Sequence, residues 1–314
     1  MLTTFLLPAS VGGKPSDVRL GHDLIGAWRR DGVVQVAVDP VQAQRTVTAI
    51  TAARRFFSMP LEYKARHVSP LSYSGYVTSG DDGAEVFTVC KDVPEGDVRV
   101  RERWPCHGPV PWPDLEYRLA MRAFMDELGG IGDRLLRLAA LGLGLPCADE
   151  LTRLTADGWH HMRALRLPAR AEGGPAAHPV HGLLVMAALD ETGGLYVRRP
   201  MDGRAEAWSF VRPEPYTLAV FPGEVMGFLT GGVLPSTWHR VASAERDRYA
   251  LTYFHEPSFE AELRPLKGGG RLHYGTHLTK TFMRSYPERE ATRRIREDGR
   301  LEVLGRLRDA ASVP

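Results

Sequence analysis

Two histidines and an arginine carry the chemistry this sequence could perform. His178 opens the run His178-Pro179-Val180-His181, and an apolar, strand-like segment follows it. His239 lies 61 residues further on, in STWHRVAS, within a second β-rich run. Imidazoles from two different strands can meet at the mouth of a barrel. With a carboxylate two residues after the first, they make the facial triad that selects non-haem iron(II) and leaves coordination positions open. Here that third position is Val180, which has no donor atom. The competing reading is that two of the eleven histidines fall at this spacing by coincidence and serve as hydrogen-bonded core residues.

Arg248 adds to the pair. It lies nine residues after His239 in HRVASAERDRYALTYF, at the entrance to an apolar strand. A guanidinium buried there needs an anionic partner, because an unpaired buried charge is very costly. The distal carboxylate of a keto-diacid fits the bidentate fork of Arg. The alternative is an Arg248 that faces solvent or pairs with Asp247 or Glu245.

The rest of the chain must position these groups. Its 314 residues are 43% hydrophobic and 25% charged, ordinary values for a globular protein with a sizeable core. A net charge of +2 gives no broad basic field for a nucleic-acid polymer or an anionic membrane. The N-terminal apolar run is short and broken by Pro8, so it does not read as a signal peptide, and no window approaches a membrane span. Cys90, Cys106 and Cys147 form no CxxC pair, which excludes a zinc knuckle or a disulfide framework and suits the cytoplasm.

Residues 21–58 read as two helical segments around the alternating strand DGVVQVAVD. Residues 59–114 read as a long loop with a hairpin, of the kind that forms a lid or binding wall. Residues 114–142 carry the strongest helical periodicity. From 158 to 260, short β-rich runs recur about every ten residues, HHMRALRLP, HGLLVMAAL and EVMGFLTG among them, as in an antiparallel sandwich or barrel. Residues from about 276 to 308 are helical again. The expected fold is mainly β with flanking helices, in one domain over 1–314: a helical and lid region at about 1–157, a β core at about 158–260 and a helical region at about 261–314.

Several ordered blocks carry a resemblance over nearly the whole chain: LSYSGYV, EVFTVCKD, WPCHGPVPWP, DGWHHMRALRLP, GLLVMAALDETGGLYVR, VFPGEVMGFLTGG, STWHRV, YFHEPSFEA and HYGTHLTKTFMRSYPER. In these the sequence resembles the iron(II)- and 2-oxoglutarate-dependent oxygenases, and within them the bacterial ethylene-forming branch. The resemblance implies a double-stranded β-helix (a jelly roll, cupin-like) with the metal at one open end, and Fe(II), 2-oxoglutarate and O2 as cofactors. It assigns His178 and His239 to iron, Arg248 to the distal carboxylate of 2-oxoglutarate and Arg163 to the cosubstrate's surroundings. Glu85 and Arg284 fall where the relative holds arginine.

The departures bear on activity. The family's metal-binding Asp is Val180, the neighbouring substrate-lining Tyr is His181, and Ser285 replaces a Cys. Iron would then keep two imidazoles, the bidentate cosubstrate and two open places. One suits O2, and the other an external anion such as chloride. That is the logic of the halogenases of this chemistry, so the leading expectation is a halogenase with Val180 as the permissive residue. The alternatives are a hydroxylase with a substitute third donor, His181 or a substrate oxygen, and a non-catalytic binding protein. The expected partner is a small molecule, with no nucleic-acid polymer and no membrane, acting on a monomer or weak homo-oligomer. A nucleotide is preferred over an amino acid: Arg198, Arg199 and Arg284 could hold its phosphate, and His181, Phe87, Tyr76 and Trp238 could stack on its base.

Overall fold

A computed structural model describes residues 2–78, 84–169, 177–198, 208–242 and 244–310, without the side chains of the last three. In chain order the N-terminal part carries β1 (Thr4–Leu6), α1 (Pro15–Asp31), β2 (Val34–Ala37), α2 (Pro40–Phe57), α3 (Leu61–Ala65), β3 (Gly75–Thr78), β4 (Glu85–Val89), α4 (Val98–Arg101) and α5 (Leu115–Gly142). The central part holds β5 (His161–Leu167), β6 (His178–Pro179), β7 (Leu184–Leu189), β8 (Leu195–Arg198), β9 (Trp208–Phe210), β10 (Thr217–Pro222), α6 (Glu224–Leu229), β11 (Trp238–Val241) and β12 (Arg248–His255). β13 (Glu262–Leu263), β14 (Leu272–His273), α7 (Tyr274–Ser285), α8 (Glu290–Glu297) and α9 (Leu301–Ala310) close the chain.

An eight-stranded sheet in the order β1-β2-β10-β7-β12-β5-β4-β3 and a four-stranded sheet in the order β6-β11-β8-β9 form the jelly-roll core. The long helix α5 starts where Asp114 accepts the Tyr117 amide at 2.7 Å, a standard N-cap. It buries Phe124, Leu128, Ile131, Leu135 and Leu138 on one side, the spacing of an amphipathic helix, and packs on α1 and α2. The Trp28 indole reaches from α1 to the Val220 carbonyl at 3.2 Å, joining this helical layer to the sheet. Among the described residues no helix is long and apolar enough to cross a membrane.

Three expectations are corrected. The first helix starts at Pro15 rather than 21, because Asp17 gathers the amides of Gly12, Gly13 and Lys14 at 3.0, 3.1 and 3.2 Å and fixes an earlier N-terminus. EVMGFLTG is the helix α6 rather than a strand; a short apolar run between a glycine and a threonine does not reveal its period. The β core does not begin at 158: the strand and hairpin expected earlier in the chain, β2 and β3–β4, join β1 in extending the eight-stranded sheet at both edges.

Candidate active site

A cavity of about 500 Å³ lies between the two sheets, within the range of small-molecule sites. Strand alternation builds its wall. Arg248, Ala250, Thr252 and Phe254 of β12 face it beside His161 and Arg163 of β5.

The four-stranded sheet brings the two expected ligands together. In the antiparallel pair β6–β11, His178 and His239 are direct partners, and their rings stand 4.3 Å apart at 62°. His239 Nδ1 is buried without a hydrogen-bond partner. Burial, and secondarily the neighbouring His178 and His181, depress its pKa to about 3, so the ring is neutral and keeps a lone pair for a metal. An orphaned buried nitrogen beside a second imidazole fits a divalent iron. Val180 lies on the same cavity wall, is 4% exposed and packs in an apolar cluster with Val197, Leu195 and Phe221. Among the described residues no cluster of three or more His, Cys, Asp or Glu side chains has metal-holding geometry. The described cavity wall thus presents two neighbouring imidazoles with the apolar Val180 beside them.

Arg248 is 3% exposed. Among the described residues its hydrogen bond runs from one terminal nitrogen to the Gly193 carbonyl at 3.2 Å, and its Nε is buried and unpartnered. Asp247 pairs with Arg166 at 2.8 Å rather than with Arg248. Asp190 accepts the Tyr249 and Thr192 amides at 2.7 and 3.1 Å. The Arg248 guanidinium therefore has donor capacity directed at the cavity, as a carboxylate anchor requires. Gly194, at φ +97°, makes room for it: a Cβ there would sit 1.9 Å from a guanidinium nitrogen.

Arg163 also lines the cavity, its guanidinium 5.5 Å from the Phe254 ring and 5.9 Å from the Tyr286 ring. His161 stacks on Phe254 at 4.3 Å and forms part of the wall. His181 and Ser285 line the cavity.

The other candidates lie elsewhere. Glu85 points away from the cavity, between Ala84 and Val86, which face it; Lys64, Tyr76 and Arg166 bind its carboxylate. Burial opposes its charge, but those three bonds prevail and hold its pKa below the ordinary value. Arg198 stacks on Trp238 at 4.8 Å, and neither side chain belongs to the cavity wall. Arg284 is exposed and bonds Thr281 at 3.2 Å. Phe87 is fully buried among Phe56 and Tyr117. Arg199 lies outside the described residues. Of the expected phosphate and base contacts among the described residues, Arg198, Arg284, Tyr76, Phe87 and Trp238 are off the cavity wall, and His181 is on it.

Sequence reasoning missed Glu224, His277 and Glu256, all on the cavity wall. The first two sit in the VFPGEVMGFLTGG and HYGTHLTKTFMRSYPER blocks, where an acid after a strand-ending glycine and a histidine on an amphipathic helix were available signals. Glu256, in HEP, is fully buried. Its Oε2 accepts the Leu183 amide at 3.0 Å, while Oε1 lacks an aligned partner.

Burial pushes the Glu256 carboxyl up to about 8, against hydrogen bonds that lower it. The folded state then holds a proton that the unfolded chain releases near 4.5, so this group's contribution to stability falls as pH rises from about 4.5 to about 8. Glu256→Gln is expected to flatten that slope, as read by urea denaturation at several pH values. Parallel wild-type and variant profiles would contradict a protonated Glu256.

Residues 159–257 match the model of the 2OG-Fe(II) oxygenase superfamily. Residues 8–115 match that of the non-haem dioxygenase in morphine synthesis N-terminal family. A 2-oxoglutarate-dependent ethylene/succinate-forming enzyme of Ralstonia nicotianae is 46% identical over 99% of both chains. Flavanone 3-dioxygenase 2 of Oryza sativa subsp. japonica is 27% identical, over 77% of this chain and 70% of that one. A full-length Neurospora crassa protein, solved in complex with alpha-KG and thymine, superposes with a TM-score of 0.78 at 17% identity, covering 91% of this chain and 97% of that one; at that identity the likeness concerns the fold.

Proposed function

The chain belongs to the 2OG-Fe(II) oxygenase superfamily, and from that premise we propose that it inserts oxygen into a small molecule, with iron(II) on His178 and His239 and 2-oxoglutarate on Arg248. Enzymes of this type use Fe(II) and 2-oxoglutarate, and their chemistry couples cosubstrate decarboxylation to oxidation of a substrate carbon. The observation that carries the reading is one cavity holding the register-paired histidines and a buried, under-partnered Arg248.

The chain's own residues then have distinct tasks. His178 and His239 present imidazoles from adjoining strands. Arg248 binds the distal carboxylate and so orients the keto acid along the cavity. The apolar wall around Val180, Val185 and Phe221 limits water near the reacting carbon. His181 Nδ1 lies 3.2 Å from the Glu224 carboxylate without an aligned hydrogen bond, and we take a water or substrate oxygen as the occupant of the third position. The three thiols are free, which fits a reducing cytoplasm.

Oxygen transfer is favoured over halogenation by the relatives, which are dioxygenases and an ethylene/succinate-forming enzyme. Halogenation stays as a second reading on one observation, the buried Val180 where a carboxylate would exclude chloride. The nucleotide reading loses support because Arg198, Trp238 and Phe87 are not on the cavity wall.

One assay separates the readings: iron(II), 2-oxoglutarate and O2 are supplied with a panel of small metabolites, with and without chloride. Products carrying added oxygen, with chloride making no difference, are expected. Chlorinated products would replace the first reading with the second, and absence of any 2-oxoglutarate consumption would contradict both. Val180→Asp supplies the absent carboxylate and is expected to tighten iron(II) binding by roughly tenfold or more, since each added donor strengthens a metal site. Unchanged affinity in an anaerobic titration would show that position 180 does not face the metal.

A further inference from the structure

Glu224 is the first residue of α6, and backbone bonds seat it under the segment that carries Val180 and His181. Its amide donates to the Val180 carbonyl at 3.0 Å, and the Val225 amide to the Gly182 carbonyl at 2.9 Å. A Cβ at Gly223 would stand 2.0 Å from the Gly182 carbonyl oxygen, so only glycine permits this approach. The Glu224 Oε1 accepts the His277 Nε2–H at 2.8 Å and lies 3.2 Å from His181 Nδ1. The His181 and His178 rings are 6.2 Å apart, which places the cluster one ring away from the candidate iron pair.

The three side chains are 25–41% exposed and line the cavity. The other acids of the described wall are engaged or enclosed. Asp190, with its side chain 4% exposed, takes two backbone amides, and Glu256 is fully buried. The His277 bond and the His181 approach both fall on Oε1, so neither imidazole occupies Oε2. The Glu224 carboxylate places a negative charge in a largely apolar chamber, where an ionic hydrogen bond is stronger than in water.

We infer that Glu224, held by His277 and flanked by His181, is the substrate-selecting group of this cavity and receives a protonated nitrogen, an ammonium or amidinium, beside the two-imidazole site. The inference rests on the oxygenase reading. Glu224 would set which carbon of a cationic substrate lies near the metal, while His277 acts as a positioning residue by fixing its carboxylate.

The test uses the full chain loaded with iron(II) and 2-oxoglutarate under argon and titrated with pentylamine, pentan-1-ol and pentanoate, followed by ligand-observed NMR. The ammonium is expected to bind roughly tenfold or more tighter than the alcohol, the scale of a charged hydrogen bond. Glu224→Gln should level that preference and Glu224→Asp, which keeps the charge, should retain it. Equal binding of amine and alcohol to the wild type, or a preference that survives in Glu224→Gln, would overturn the inference. So would a Glu224→Gln chain that fails to bind iron(II) and 2-oxoglutarate, since that marks a structural role. A wild-type chain that binds no iron(II) would instead overturn the oxygenase reading itself.

Discussion

Replacing either His178 or His239 by Ala is expected to weaken iron(II) binding at least roughly a hundredfold and to abolish 2-oxoglutarate turnover. The magnitude follows from the donor set. Changes to groups that merely support a ligand already cost about ten- to a hundredfold in metal affinity. Here each histidine is half of the imidazole donors that the paired strands present, and Val180 cannot compensate. Both rings sit at the cavity wall, so truncation removes a donor without unpacking the main core. Anaerobic iron(II) titration with 2-oxoglutarate present, alongside thermal unfolding, checks this. Near wild-type affinity in both variants would exclude the site.

Arg248→Ala comes second in expected effect. It should raise the 2-oxoglutarate concentration needed for half-maximal turnover by roughly ten- to a thousandfold, the range for losing a bidentate charged hydrogen-bond partner. The structure sharpens the expectation, since among the described residues the guanidinium has one backbone acceptor and an unpartnered Nε. The substitution also removes a buried charge that costs stability when unpaired. The variant should therefore unfold no earlier than the wild type without cosubstrate, and 2-oxoglutarate should stabilise it less. An unchanged cosubstrate requirement would remove Arg248 from the site.

The β rhythm from 158 to 260 and the long helix at 115–142 were legible because their periods are set by one-sided burial, which the amino-acid order records directly. The pairing of His178 with His239 was legible because each sits in a recognisable short strand, although the register that joins them is a tertiary fact. Position 180 was also readable, since a side chain without donor atoms cannot ligate a metal in any conformation.

Orientation was less legible. Glu85 lies on a cavity-forming strand, but the alternation of β4 turns it toward Lys64, Tyr76 and Arg166. Arg198 was expected to hold a phosphate, and its strand face instead turns it onto Trp238. The sign of a face cannot be read where buried and half-buried residues alternate without a polar contrast. The Glu224–His277 contact was hidden for another reason: it joins residues 53 positions apart in chain order, through a helix whose short apolar run reads equally well as a strand.

Which side chains hold the iron decides between these readings, and an anaerobic crystal structure of the complex with iron(II) and 2-oxoglutarate would show them. Bonds are expected from His178 and His239 and from the keto acid, with the distal carboxylate on Arg248 and no side chain of this protein at the remaining positions. Iron bonded to a carboxylate or third imidazole of the chain, or seated away from those two histidines, would contradict that expectation.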